Sequence, residues 1–302
     1  MPSREWMRLL ALVPVSGLAW WLIGYMPWIV TGLNGRSGNV PDAGAGIAGT
    51  ALALPFANAS YSLLAAGALV GGLAAGLTGL LAPRGQIWPS LASLVGVAAA
   101  LAITLRQSME AVRGVAAGTF AADDRVLHGL ALAVVAVTVA GWLIGALAVL
   151  GRPALGVALA VLAGAVPAWV SSVVAAMAAG PVPSTSSALN WLGAAMLGVA
   201  LVVIGARRPT GILVWPVALV LAWLVGPALT AAGYLDQILR PAAIRPDGLP
   251  DALAVAWEVF TLAAMPANRA VLVAWIVAVV AAAAVTATVA ARRPRTRDTV
   301  AA

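Results

Sequence analysis

The chain has 302 residues, 63% of them hydrophobic and 9% charged, with a formal net charge of +7. A charged fraction far below the roughly 25% of soluble domains excludes a soluble fold and disorder. The 17 basic residues are all Arg and fall in short clusters between apolar runs, a pattern of membrane topology that excludes a nucleic-acid-binding surface.

A bilayer core of about 30 Å takes about 20 helical residues. Runs near 8–31, 60–82, 88–106, 127–151, 154–178, 190–206, 211–233 and 269–291 meet that length. They predict an all-α, polytopic integral membrane helix bundle with eight transmembrane helices. The first run follows Arg4 and Arg8 but is longer than a signal-peptide core, so it reads as an uncleaved span.

With a cytoplasmic N-terminus, eight spans put Arg4, Arg8, Arg84, Arg152, Arg207, Arg208, Arg292, Arg293, Arg295 and Arg297 inside, accompanied only by Glu5 and Asp298. The other face takes the remaining seven Arg and eight acids. The positive-inside rule then predicts a plasma-membrane protein with both termini cytoplasmic. Trp6, Trp88 and Trp215 near inner ends and Trp28, Trp191 and Trp257 near outer ends suit an aromatic belt.

Landmarks recur in order along the chain. Gly24-Tyr-Met-Pro27 matches Gly164-Ala-Val-Pro167, Trp88-Pro89 matches Trp215-Pro216, and Arg125-Val-Leu matches Arg269-Ala-Val-Leu. The Gly-Arg-Pro turn at 151–153 is echoed at 292–294. The spacing predicts two four-helix repeats, 1–152 and 153–302, the second ending in a basic cytoplasmic tail. Four spans per half make the repeats parallel, with a pseudo-twofold axis along the membrane normal.

Gly67, Gly71, Gly72 and Gly76 in span 2, Gly141 and Gly145 in span 4 and Gly156 to Ala168 in span 5 provide small faces for close helix contact. Pro14, Pro27, Pro167 and Pro216 are candidate kinks. Away from their ends the spans carry no Asp, Glu, Arg or His, which argues against an intramembrane proton relay. What remains is hydroxyl-bearing, including Ser16, Ser93, Thr104, Thr138, Ser171 and Ser172.

The extracytoplasmic side holds the candidate chemistry. Loop 32–59 turns apolar over 47–56, too short a stretch to span, and Asn58-Ala-Ser60 is a weak sequon. Leu105, Met109, Val112, Ala116 and Phe120 recur at helical spacing, predicting an amphipathic interfacial helix after span 3. Its Arg106, Glu110 and Arg113 share another face. Asp123 and Asp124 fit a cap of span 4, and His128 reads as a hydrogen-bonded interfacial residue. Between Asp251 and Pro266 an apolar run carries Glu258 alone, which suits an interfacial or re-entrant helix. Glu258 then either meets Arg106, Arg113 or Arg269 or faces water.

Met109-Glu110 and Trp257-Glu258 hold similar places in the two repeats, so Glu110, Glu258, Arg106, Arg113 and Arg269 form the candidate outer-face polar cluster. No catalytic residue is identified. With no Cys and one His, no metal or cofactor is expected, and a chain without Lys has no Walker A loop. The leading functional reading is a transport or export component for a lipid or hydrophobic solute. A scaffold subunit of a membrane or cell-envelope complex, and an enzyme acting on a lipid-linked substrate at the outer leaflet, are the alternatives. Expected partners are the bilayer and other membrane or extracytoplasmic subunits, with no nucleic acid.

Overall fold

The computed structural model of the protein describes residues 2–33, 54, 56, 61–82, 87–115, 124–178, 186–205, 209–238 and 249–292. The remainder of loop 32–59 with its sequon, the stretch from Ala116 through Phe120 to Asp123, Arg84, Arg207, Arg208, Arg240, Arg245 and the tail beyond Arg292 lie outside the described residues. Among the described residues ten α-helices follow in chain order: α1 (Pro2–Gly24), α2 (Met26–Leu33), α3 (Tyr61–Leu77), α4 (Trp88–Val115), α5 (Asp124–Leu147), α6 (Arg152–Met177), α7 (Ser186–Gly205), α8 (Trp215–Ile238), α9 (Leu249–Ala264) and α10 (Leu272–Ala291). Among the described residues no strand occurs. Among the described residues eight helices are long and apolar enough to cross a membrane, the pattern of a multi-pass membrane protein. They coincide with the eight spans expected from the sequence.

Two elements differ in extent from the sequence reading. The amphipathic segment around Glu110 is no separate helix: nothing between Trp88 and Val115 breaks the backbone ladder, so it forms the last turns of α4. Span 1 divides at Tyr25, because Pro27 has no N–H to bond the carbonyl four residues earlier. Backbone bonds from Tyr25 to Trp21 and from Ile29 to Tyr25, both 3.0 Å, carry the chain across the break.

In lipid, helices associate through close packing and hydrogen bonds, because apolar burial alone gives no preference for protein over lipid tails. Glycine provides the approach between α3 and α5. A Cβ on Gly72 would meet the Thr138 carbonyl, and one on Gly145 would lie 2.5 Å from the Leu73 carbonyl. Hydroxyls and indoles supply polar ties: Ser16 Oγ donates to the Ser93 carbonyl (3.0 Å), Ser93 Oγ to the Ala75 carbonyl (2.7 Å) and Trp142 Nε1 to Ser93 Oγ (3.2 Å). Trp20 Nε1 donates to Thr138 Oγ1 at 3.1 Å. These bonds stitch α1, α3, α4 and α5 together.

Helix pairing follows one scheme in both parts of the chain. In the first, α1 packs on α3 and α4, and α3 packs on α5; in the second, α6 packs on α7 and α8, and α7 packs on α10. The helix α9 lies along α8. The seam between the parts is formed by α2 and α3 with α6, and by α3 with α8. Trp169 Nε1 crosses it to the Gly24 carbonyl at 3.0 Å. Gly151 makes the turn from α5 into α6 at φ 142°, a region that side chains avoid.

Candidate functional site

A cavity of about 540 Å³ opens at the end of the bundle away from the chain termini. Its wall joins Ser62 and Ala66 of α3 to residues of the second half, among them Ser171 and Ser172 late in α6, Asn190 early in α7 and Thr230 late in α8. Arg269 closes one side. It precedes the 20-residue α10 by three positions. At 1.5 Å per residue it therefore stands about 30 Å from the far end of that helix, roughly one hydrocarbon thickness.

Arg269 is held by aromatic and backbone groups. Its guanidinium carbon lies 4.3 Å from the centre of the Trp223 ring and 5.8 Å from that of Trp275, and the two indoles meet edge to face at 5.4 Å. Nη1 donates to the Trp223 carbonyl at 2.7 Å, and Nη2 packs against Gly226, where a side chain would displace it. Trp223 Nε1 in turn donates to the Ala264 carbonyl at the end of α9, at 2.9 Å. Burial pushes the Arg269 pKa down, yet a guanidinium stays charged at any ordinary pH. Among the described residues no carboxylate pairs with it. Cation–π attraction offsets part of the desolvation, but the positive charge is left uncancelled.

Below this cation runs an apolar cleft of about 480 Å³ between α8 and α10, lined by Leu219, Val220, Trp223, Trp275, Ile276 and Val280, among others. Trp275 belongs to both walls, so the polar cavity and the apolar cleft adjoin at the Trp pair.

The five residues singled out in the sequence occupy separate places. Arg106 and Glu110 form an exposed i,i+4 pair at 2.8 Å on α4. Arg113 reaches Asp124 at the start of α5, at 2.7 Å, and holds that carboxyl below its ordinary range by its hydrogen bond and charge. His128 Nδ1–H donates to the Asp124 carbonyl one turn earlier. Glu258 is exposed on α9, and its backbone carbonyl accepts from Thr261 Oγ1 at 2.8 Å. No hydrogen bond or ion pair among the described residues joins Glu110 or Glu258 to Arg269. The sequence reading passed over Trp223, Trp275, Asn190 and Gly226. The dipeptide Gly226-Pro227 inside span 7 was the available signal, since a mid-span Pro frees a carbonyl that some donor must satisfy. No protein-family model, curated protein or solved structure matches the chain.

Proposed function

We propose that the protein is a transport or export component of the plasma membrane for a lipid or other hydrophobic solute, and that the ligand is an amphiphile with an acidic head. The observation that carries this reading is Arg269, a half-buried cation without a carboxylate, placed where a polar cavity meets an apolar cleft. An acidic headgroup would neutralise the guanidinium and accept hydrogen bonds from the Ser171 hydroxyl and the Asn190 amide, while the Ser172 and Thr230 hydroxyls donate to the Ala168 and Gly226 carbonyls. Its chain would lie against Val220, Ile276 and Val280. The Arg distribution assigns this end to the extracytoplasmic side, with both termini cytoplasmic.

The shared pairing scheme of the two parts supports the internal 4+4 duplication, and Ser62 and Ala66 of the first half join the second-half residues in the cavity wall. The cavity wall includes no carboxylate among the described residues, which favours binding and movement over acid–base chemistry on a lipid-linked substrate. The scaffold reading predicts no specific lipid in the cavity.

Purification from native membranes in mild detergent, followed by mass spectrometry of retained lipids, tests the proposal. Wild-type protein is expected to retain an acidic lipid that Arg269→Gln loses by tenfold or more. Vesicles reconstituted with the protein should then move a labelled acidic lipid between leaflets faster than protein-free vesicles. Equal lipid retention by both proteins would overturn the ligand class, and retention without movement would favour a scaffold.

A further inference from the structure

We propose that the protein associates with copies of itself head to tail, through two faces that repeat its own internal seam. This rests on reading the chain as two corresponding halves, and packing supports that correspondence independently of the sequence landmarks. Gly67 of α3 receives Gly24 and Tyr25 of α1, while Gly193 of α7 receives Ala163 and Pro167 of α6. Gly72 meets Thr138 on α5, while Gly198 meets Ala278 on α10. The two glycines are five residues apart in both helices, so α3 and α7 align residue by residue.

At the seam α3 presents a third face, Ala66, Leu69, Val70 and Leu73, to the second half. There it shares cores with Ala158, Leu162 and Ala165 of α6 and with Val225 and Leu229 of α8. Counted from the paired glycines, the same face of α7 is Leu192, Ala195, Met196 and Val199. It is apolar and largely uncovered: Leu192 is 40% and Val199 59% exposed. An apolar groove of about 460 Å³ opens beside it between α7 and α10.

The complementary face is uncovered as well. Aligning Gly24 and Pro27 with Gly164 and Pro167 makes Leu18 and Leu22 the counterparts of Ala158 and Leu162. Aligning Trp88 and Pro89 with Trp215 and Pro216 makes Ala98 and Ala102 the counterparts of Val225 and Leu229. Leu18 and Leu22 are 55% and 47% exposed, and both alanines are exposed. Tyr25, the counterpart of Ala165, is the exception and is buried in its own half.

A twofold arrangement of the halves would pack α7 on α1 and α4 whenever α3 packs on α6 and α8. The first set of pairs makes no packing comparable to the second, so the seam is one-sided. A one-sided contact leaves a receiving face at one end of the chain and an entering face at the other. Repeated between copies, such contacts close into a ring or continue as an open array.

A second copy is the occupant because it carries the α1–α4 face, the counterpart of the one that fills the internal seam. Side-chain sizes also fit when exchanged. Leu73 with Ala158 becomes the bulkier Val199 with Leu18, and Val70 with Leu229 becomes the slimmer Met196 with Ala102, so side-chain bulk is kept over the two contacts taken together. Apolar area alone does not separate a copy from lipid here, so shape matching decides the contact.

The chain has no Cys, so engineered thiols report on a clean background. Leu18→Cys and Val199→Cys, co-expressed on separate chains and treated in native membranes with a short bis-maleimide, are expected to give a dimer. A chain carrying both should give a ladder, and each single variant alone should stay monomeric. Leu132→Cys, at a 70% exposed position on α5, paired with Val199→Cys sets the level of chance encounters. Leu73→Cys with Ala158→Cys in one chain reports the internal seam. Seam cross-linking with no Leu18–Val199 product above the chance level would overturn self-association and leave the lipid proposal standing. Dimers from Leu18→Cys alone would overturn the head-to-tail geometry. Failure of the seam pair would overturn the packing on which the inference rests.

Discussion

Arg269 donates to the carbonyl of Trp223, the one carbonyl of α8 that Pro227, four residues on, has no N–H to bond. The cation therefore repairs a helix while presenting its remaining donors to the cavity. Pro227→Ala would restore the helical bond and release Arg269 from the repair. Arg269→Gln should cost less stability in the Pro227→Ala background than in wild type, by about 1 kcal/mol in a double-mutant cycle. Thermal unfolding in detergent measures it, and strict additivity would show that the carbonyl does not depend on Arg269.

The turn between the halves makes a second prediction. Gly151 stands at φ 142° with an extended ψ, a conformation nearly confined to glycine. Gly151→Ala should destabilise the protein by about 1–3 kcal/mol, although an added Cβ would meet only Pro153 Cδ, at an ordinary contact distance of 3.9 Å. An unchanged midpoint would mean that the turn relaxes freely.

Close packing of α3 on α5 is tested at Gly76, whose added Cβ would meet the Trp142 carbonyl. Backbone cannot yield as a flexible side chain can, so Gly76→Leu should cost about 1–3 kcal/mol or more. Gly129→Leu, at an open position on the same partner helix, should cost little. The difference between their unfolding midpoints is the readout.

Removing the hydroxyl in Ser93→Ala leaves the Trp142 indole N–H without its acceptor and the Ala75 carbonyl with Thr78 Oγ1 as its remaining side-chain donor. The expected loss is about 1 kcal/mol, since polar contacts within membranes average well below their vacuum strength. A larger loss, measured by chemical denaturation, would indicate that the Ser16–Ser93–Trp142 chain acts cooperatively.

The Arg113–Asp124 pair carries a pH dependence. Its carboxyl is lowered in the folded state, so its contribution is present above the ordinary carboxylate range and is lost as pH falls through the lowered value. Both groups are exposed, so the contribution should be small and weakened by salt. Asp124→Asn should lower stability slightly at neutral pH and flatten the acid limb, the two proteins converging as pH falls below about 4.

The eight spans were legible because the bilayer sets their length and their apolar character is local to each run. The ion pairs of Arg106 and Glu110 were legible for the same reason, lying one turn apart on one helix. Arg269 read as a repeat landmark and as a member of the outer-face cluster beside Glu258, and its indole setting was not legible, because Trp223 in α8 and Trp275 in α10 are brought together by folding and no local pattern announces the pair. Glu258 shows the converse. An acid alone in an apolar run signals burial or exposure equally well, and only the packing of α9 on one side of α8 leaves that face open.

The helix α3 is enclosed by α1, α5, α6 and α8, and far more of it is buried than of any other span. During synthesis it enters the bilayer when only α1 and α2 have been made, with most of its neighbours still to come. Its glycine faces then meet lipid until α5, and later α6 and α8, displace it. Translation order thus makes α3 the template on which the later helices assemble, and a pause before α6 would leave the seam face of α3 open to insertion factors or other membrane segments.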